Sequence, residues 1–331
     1  MSLRLINAHE VRQLLPMHEC IRLMRTAMPL AGPGGALQPI RTALRVPGER
    51  GLLGMMPGHL PAQPAVPPRL GIKVVTVFPG NFGTTLGSHQ GMVLLFDAGN
   101  GRPLAIIEAR EVTAIRTAAA SAVATDVLAP RSASVLAIFG YGEQATEHAE
   151  SIRIVRDIRA MLIWGRDAAR AEAFAAETAR RFGVPTRAVA QVEEAVAAAD
   201  ILCTTTAAPE PYLRGAWLRP GQHLNVVGSS IPTTAEVDHD AVVRSRFYVD
   251  FRDSALALAG EFRRAREAGL VTDEHIVGSV GDVLAGRAVG RRADNEITLF
   301  KSLGMVVEDL VSAHFVLDQA ERLGVGRVVD F

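Results

Sequence analysis

The segment Ser134-Val135-Leu136-Ala137-Ile138-Phe139-Gly140-Tyr141-Gly142-Glu143-Gln144-Ala145 constrains the fold more than any other. An apolar strand runs straight into G-x-G-x-x-A and on into a helix. Gly140 permits a tight turn, Gly142 lets a pyrophosphate approach the backbone, and Ala145 is small enough for close helix–strand packing, while the helix N-terminus receives the negative charge. An ordinary glycine turn would share this spacing, so the setting decides. Strands expected at 134–139, 160–164, 186–190, 201–206, 224–228 and 247–251 alternate with helices expected at 143–156, 167–182, 191–199 and 234–243. Regular alternation with short loops predicts an α/β fold with a parallel, doubly wound Rossmann sheet that binds a dinucleotide.

The rest of the chain reads differently. Residues 8–30 have the spacing of an amphipathic helix, and 42–46, 71–78 and 91–96 read as strands bounded by turn residues. From Glu108 to Leu128 the pattern is helical and rich in alanine, and a last long helix is expected at about 298–323. That helix follows the parallel sheet in sequence. It is expected to pack back on the first domain, making an α+β domain of 1–125 plus 298–331 into which a Rossmann domain, 126–297, is inserted.

With 331 residues two domains are expected. Lys+Arg and Asp+Glu both number 35, so there is no electrostatic footprint for nucleic acid or an anionic membrane, and a small-molecule partner is expected. Two cysteines, Cys20 and Cys203, allow no disulfide framework and no zinc cluster, so no metal is expected. No apolar run approaches the ~18 residues of a membrane span. The start, Met1-Ser2-Leu3-Arg4-Leu5-Ile6, lacks a signal-peptide layout, so a reduced, cytoplasmic setting is the expectation.

An NAD-preferring fold usually ends its second strand in an acid that binds the ribose hydroxyls. Here the strand ends Leu162-Ile163-Trp164-Gly165-Arg166. Arg166 suits a 2′-phosphate, so NADP(H) is preferred, with NAD(H) possible; a solvated Arg166 beside an inward Asp167 is the competing reading. Thr204 and Thr206, after the fourth strand, and Val227, Gly228 and Ser229, after the fifth, are candidates for nicotinamide and ribose contacts. Simple capping of the following segments would equally explain the hydroxyls.

Candidate substrate residues are basic. Arg116 sits among small and apolar residues with no well-spaced acid on its own helix, so a ligand carboxylate or phosphate is expected to complete its pairing. A salt bridge to a distant acid would do the same. Lys73 lies inside the apolar strand Ile72-Lys73-Val74-Val75, facing either an edge or a cavity. Arg41 is a third candidate. Lys301 is expected in the first turn of the last helix, exposed to solvent. His89, in a loop, is a candidate proton donor, with plain polar surface as the expectation.

These residues resemble the ornithine cyclodeaminase/mu-crystallin family over essentially the whole chain. The matching segments are Gly71-Ile72-Lys73 with Pro79-Gly80-Asn81, Thr113-Ala114-Ile115-Arg116-Thr117-Ala118-Ala119, the loop from Gly140 to Ala145, Val227-Gly228-Ser229-Ser230-Ile231-Pro232, Gly281-Asp282-Val283-Leu284-Ala285-Gly286 and Ile297-Thr298-Leu299-Phe300-Lys301-Ser302-Leu303-Gly304-Met305. The resemblance implies a homodimer built through the discontinuous first domain. It implies that Arg41, Lys73 and Arg116 hold a substrate carboxylate, with Lys73 and Arg116 catalytic and Arg116 also reaching toward the cofactor. It places Ser88 near the cofactor, Glu143 and Gln144 at the pyrophosphate, and Ser302 and Leu303 beside nicotinamide and substrate. True cyclodeaminases carry an Asp proton carrier where this chain has Ser230, and an unperturbed hydroxyl is no general base near neutral pH. The branch that reduces cyclic ketimines also has Ser there. The expected activity is therefore NAD(P)H-dependent reduction of a small imine carboxylate, with Ser230 near the substrate. The alternatives are a cyclodeaminase-type lyase with bound NAD, an amino-acid dehydrogenase, or a non-catalytic binder of NADPH or a small ligand.

Overall fold

Strands form where apolar and β-branched residues run between turn residues, and they assemble into two sheets. The computed structural model describes residues 2–48, 50–63, 66–81, 84 and 86–330. The chain divides into two compact units, Met1–Arg116 with Met305–Phe331, and Thr117–Gly304.

The first unit contains β1 (Ser2–Ile6), β2 (Thr42–Val46), β3 (Gly51–Leu60), β4 (Arg69–Val77), β5 (His89–Asp97), β6 (Pro103–Glu108) and, from the far end of the chain, β15 (Arg327–Asp330). Among the described residues they form one mixed sheet of order β15-β1-β6-β5-β4-β3-β2, in which β1 and β6 pair in parallel and the other pairs are antiparallel. Helix Val306–Leu323 lies on β3, β4 and β5 and against helix Met17–Ala27. All residues from Val306 to His314 are buried, so this is a core helix rather than a surface one. A cross-strand glycine pair makes room for it. Gly58 and Gly71 are register partners. A Cβ at Gly58 would stand 2.5 Å from Val306 Cγ1, and one at Gly71 2.6 Å from Leu310 Cδ2.

The second unit contains β7 (Val135–Phe139), β8 (Ala160–Trp164), β9 (Thr186–Ala188), β10 (Ile201–Thr204), β11 (His223–Val226), β12 (Arg246–Val249), β13 (Ile276–Ser279) and β14 (Thr298–Lys301). They pair in parallel in the order β13-β12-β14-β11-β10-β7-β8-β9. The order reverses around β7, as in a doubly wound sheet. Ala137, Phe139, Leu202, Leu224, Phe247 and Leu299 anchor its core.

Three expectations are corrected. The helix expected over 8–30 is two helices, Ala8–Leu14 and Met17–Ala27, because Pro16 lacks the N–H that would continue the first and instead caps the second. The helix expected over 298–323 begins only at Val306; Thr298–Lys301 is a strand between β11 and β12. Lys301 is therefore not an exposed helix residue but a wholly buried strand residue.

Candidate functional site

In the first unit, strand alternation puts Lys73 on the face of β4 that carries Gly71, the face covered by helix Val306–Leu323. Lys73 is 3% exposed and Arg116 4%. The helix's first turn meets them with two carboxylates. Lys73 Nζ lies 2.8 Å from Asp309 Oδ2. Arg116 donates through Nε to Asp309 Oδ1 at 2.9 Å and through Nη1 to Glu308 Oε2 at 2.8 Å. The expectation that a ligand anion must complete Arg116 is thus overturned: two acids almost two hundred residues later already pair with it. Glu308 and Asp309, which the sequence reading missed, hold both cations of this candidate site. The signal was there, as two acids inside the apolar run Val306-Val307-Glu308-Asp309-Leu310-Val311.

These charges set one another's acidity. Burial pushes the Lys73 ammonium down to about 8, helped by Arg116 and Arg41 and opposed by Asp309. Burial works to raise the Asp309 carboxyl, but the charges of Arg116 and Lys73 and their hydrogen bonds hold it below its usual value. Arg41 is partly exposed, just before β2, and its charge reaches Lys73. Ser88 Oγ bonds His89 Nδ1 at 3.0 Å. The His89 imidazole is held below its usual range by desolvation and by Lys73 and Arg110, even though the residue as a whole is exposed. It is more than plain surface. Lys73 also donates to Thr113 Oγ1 at 3.4 Å, so among the described residues two of its three N–H donors have partners.

In the second unit the loop after β7 has the geometry a dinucleotide needs. Gly140 has φ 120°, a conformation for glycine alone, and its N–H donates to Trp164 O at 2.8 Å. Gly142 caps helix Glu143–Val155, and nothing lies within 4 Å of where its Cβ would be. Ala145 is wholly buried. Glu143 is partly buried in the helix's first turn. Arg166 stands exposed just past β8. Asp167 is occupied as the N-cap of helix Ala168–Phe182, accepting from Arg170 N at 3.1 Å. The Arg170 guanidinium stacks over the Tyr141 ring, 4.5 Å from its centroid.

At the carboxyl ends of the neighbouring strands the hydroxyls are differently employed than expected. Thr204 Oγ1 and Thr206 Oγ1 each donate to Glu236 at 2.7 Å, and Gly228 N does so at 2.6 Å. Ser229 Oγ donates to Thr234 O at 2.7 Å. Val227 is buried and Ser230 partly so. Leu303 N donates to the buried Asp250 Oδ2 at 2.6 Å. Lys301 pairs with Glu261 Oε2 at 3.0 Å. Gln144 Oε1 and Ser302 Oγ are among ten buried side-chain polar atoms that have no hydrogen-bond partner among the described residues. Both sit on residues expected at the cofactor, and an orphaned buried polar group is one that a ligand can satisfy.

Comparison with known proteins places this geometry. The model of the ornithine cyclodeaminase/mu-crystallin family matches residues 3–323. Ketimine reductase mu-crystallin of Mus musculus is 40% identical over 288 residues, 87% of each chain. The solved structure of Thermococcus litoralis Δ1-pyrroline-2-carboxylate reductase in complex with NADH and L-proline superposes with a TM-score of 0.93 at 33% identity, covering 98% of this chain and 99% of that one. An archaeal alanine dehydrogenase dimer with bound NAD superposes equally well, TM-score 0.93 at 30% identity, over all of both chains. A full-length family match, a relative well above 30% identity and two superpositions over nearly every residue lead to one conclusion: the chain belongs to the ornithine cyclodeaminase/mu-crystallin family.

Proposed function

We propose that this protein reduces a small imine or ketimine carboxylate, such as Δ1-pyrroline-2-carboxylate or Δ1-piperideine-2-carboxylate, to the L-amino acid with NAD(P)H. The likeness to reductases of cyclic imines, one of them solved with NADH and L-proline, carries the reading. The cation–carboxylate cluster around Lys73 supports it.

When bound, the nicotinamide supplies a hydride. The protein supplies the rest. Lys73 and Arg116, clamped by Asp309 and Glu308, are held at fixed positions in a low-dielectric surround, where a preorganised cation orients a carboxylate and withdraws charge from the carbon beside it. The remaining Lys73 donor takes the substrate carboxylate, with Arg41 at the same charge cluster. Gly140, Gly142, Gln144 and Ala145 receive the pyrophosphate, and Ser302 borders the nicotinamide. Arg166, exposed just past β8, favours a 2′-phosphate, hence NADPH over NADH. Residues 1–116 with 305–331 serve as substrate and dimerisation domain and 117–304 as dinucleotide domain, the boundaries expected at 125 and 298 shifting because Thr298–Lys301 pairs within the parallel sheet. A homodimer is supported by the dimeric alanine dehydrogenase. A reduced, cytoplasmic setting is supported by two buried, unpaired cysteines.

The test is a panel of imino acids offered with NADPH and NADH, read as loss of reduced cofactor; no oxidation with any of them ends the proposal. A clear preference for NADH, unaltered by Arg166→Gln, ends the NADP part, and a monomer in sedimentation ends the dimer part. A second reading, oxidation and reduction of an open-chain amino acid with free ammonia, is favoured by the alanine dehydrogenase likeness. Pyruvate with ammonia in the same panel separates it. Ser230 in place of the cyclodeaminase Asp disfavours ammonia release from L-ornithine.

A further inference from the structure

The carboxyl ends of β10, β11 and β14 are joined by two buried carboxylates and one buried ammonium. Glu236, 0% exposed, accepts from Thr204 Oγ1, Thr206 N and Thr206 Oγ1, each at 2.7 Å, from Gly228 N at 2.6 Å and from Tyr212 Oη at 3.2 Å. Glu261 accepts from Glu236 N at 3.0 Å and from Lys301 Nζ at 3.2 Å. Lys301 Nζ also donates to Ser229 O at 2.6 Å. Burial raises the Glu236 carboxyl above its usual value, a rise that Lys301 and the Thr206 and Thr204 donors oppose without cancelling. Five donors, two of them backbone N–H groups that can never accept, converge on it, so the ionised form is the one its surroundings satisfy. Two carboxylates against one ammonium leave one negative charge in excess.

Topology puts that charge on a definite side. The strand order reverses at β7, where the glycine loop sits, and the two halves of a dinucleotide lie to either side of such a point. Arg166 marks the β8 side for the adenylate half. β10, β11 and β14 are on the other side, under the nicotinamide half. The surface there is close, since exposed Gly228 bonds Glu236 directly and a Cβ on it would run into the Thr206 carbonyl.

We infer that Glu236, with Glu261 and Lys301, gives the nicotinamide half of the site a fixed negative bias that favours the oxidised cofactor over the reduced one and so promotes hydride departure. The inference rests on the nicotinamide reading above. In that reaction a C–H bond of the dihydronicotinamide breaks, and its electron pair forms the new C–H bond at the imine carbon. The C=N π pair becomes the nitrogen lone pair. The positive charge of the protonated imine passes to the nicotinamide ring, which the buried excess charge stabilises. Glu236 touches neither partner; it is a positioning residue acting through its charge and through the two strand-end loops.

Calorimetric titration of the intact protein with the oxidised and reduced cofactors, in whichever phosphate form binds tighter, tests this. The wild type is expected to bind the oxidised form at least as tightly as the reduced one. Glu236→Gln is expected to raise the ratio Kd(oxidised)/Kd(reduced) about tenfold, the size expected for one unit charge near the ring, and Glu261→Gln to move it the same way. Adenosine 2′,5′-bisphosphate binding should stay unchanged, reporting an intact adenylate half. A merely structural role would weaken both forms alike, and an unchanged ratio overturns the inference. So does a wild type that binds the reduced form tenfold tighter, a result that needs no folded variant. If the wild type binds neither form, the nicotinamide reading itself fails and takes this one with it.

Discussion

Replacing Asp309 by Asn removes one negative charge from between two buried cations while keeping the side chain's shape. Asp309 is wholly buried, with Lys73 Nζ at 2.8 Å and Arg116 Nε at 2.9 Å. An opposite charge at that distance holds a group's pKa by about one to three units toward its charged form. Lys73, already down at about 8 with Asp309 in place, should fall to roughly 5–7 without it. At pH 7.5 the charged fraction of Lys73 then drops from about three-quarters to one-quarter or less. A neutral amine no longer attracts a carboxylate, so the loss falls on substrate binding. The assay is kcat/KM for the imine carboxylate against pH at saturating cofactor. In the wild type it should decline above pH about 8. In Asp309→Asn the break should move down by a unit or more, with KM rising more than kcat falls. A break that stays near 8 in the variant would refute the electrostatic coupling. Stability should suffer too, since breaking a buried ion pair costs about 3–5 kcal/mol, read from urea midpoints. The signs differ for the two partners. The Asp309 contribution is present above its unfolded pKa and lost as pH falls through its lower folded value. The Lys73 penalty is present below about 8 and relieved as pH rises toward its unfolded value of 10.5.

Gly71→Ala should destabilise the protein by about 1–3 kcal/mol, because the new Cβ meets both Leu310 Cδ2 and the Leu94 carbonyl at 2.6 Å; an unshifted urea midpoint would contradict the packing account. Gly140→Ala should weaken dinucleotide binding at least tenfold in calorimetry while leaving the melting temperature within a few degrees, since φ 120° is strained for alanine and Thr205 O lies 3.0 Å from the Cβ position. Burial lowers His148 to about 4 and His223 and His314 to about 3, with Arg291 adding to the effect at His223 and Arg69 at His314. The unfolded chain takes up protons first, so stability should fall as pH drops below about 6.5, by about 1.4 kcal/mol per unit per histidine. Melting temperatures that stay level from pH 7 to 5 would show that these imidazoles are not held neutral.

How much of this could be read from the chain alone depended on how local the cause was. The glycine loop was legible because its chemistry is complete within six residues, from Gly140 to Ala145. The burial of Lys73 and Arg116 was legible because their neighbours are apolar. What neutralises them was not, because Glu308 and Asp309 are 192 and 193 residues from Arg116 and no local spacing links them to it. Lys301 misled for a related reason. A short apolar run such as Ile297–Lys301 fits strand or helix equally, and only pairing with β11 and β12 decides. Thr204 and Thr206 lie at the strand ends where ligands bind, as expected, yet their hydroxyls serve a buried carboxylate that no spacing pattern announces.

The first unit is closed by the last helix of the chain, which has a consequence for biosynthesis. As the polypeptide leaves the ribosome, Lys73 and Arg116 emerge long before Glu308 and Asp309 are translated, and β3 and β4 wait uncovered for Val306–Leu323. Residues 117–304 are complete in the nascent chain before that helix exists. A chain that stops between residues 117 and 305 therefore carries Lys73 and Arg116 without the carboxylates of Glu308 and Asp309 that pair with them in the whole protein.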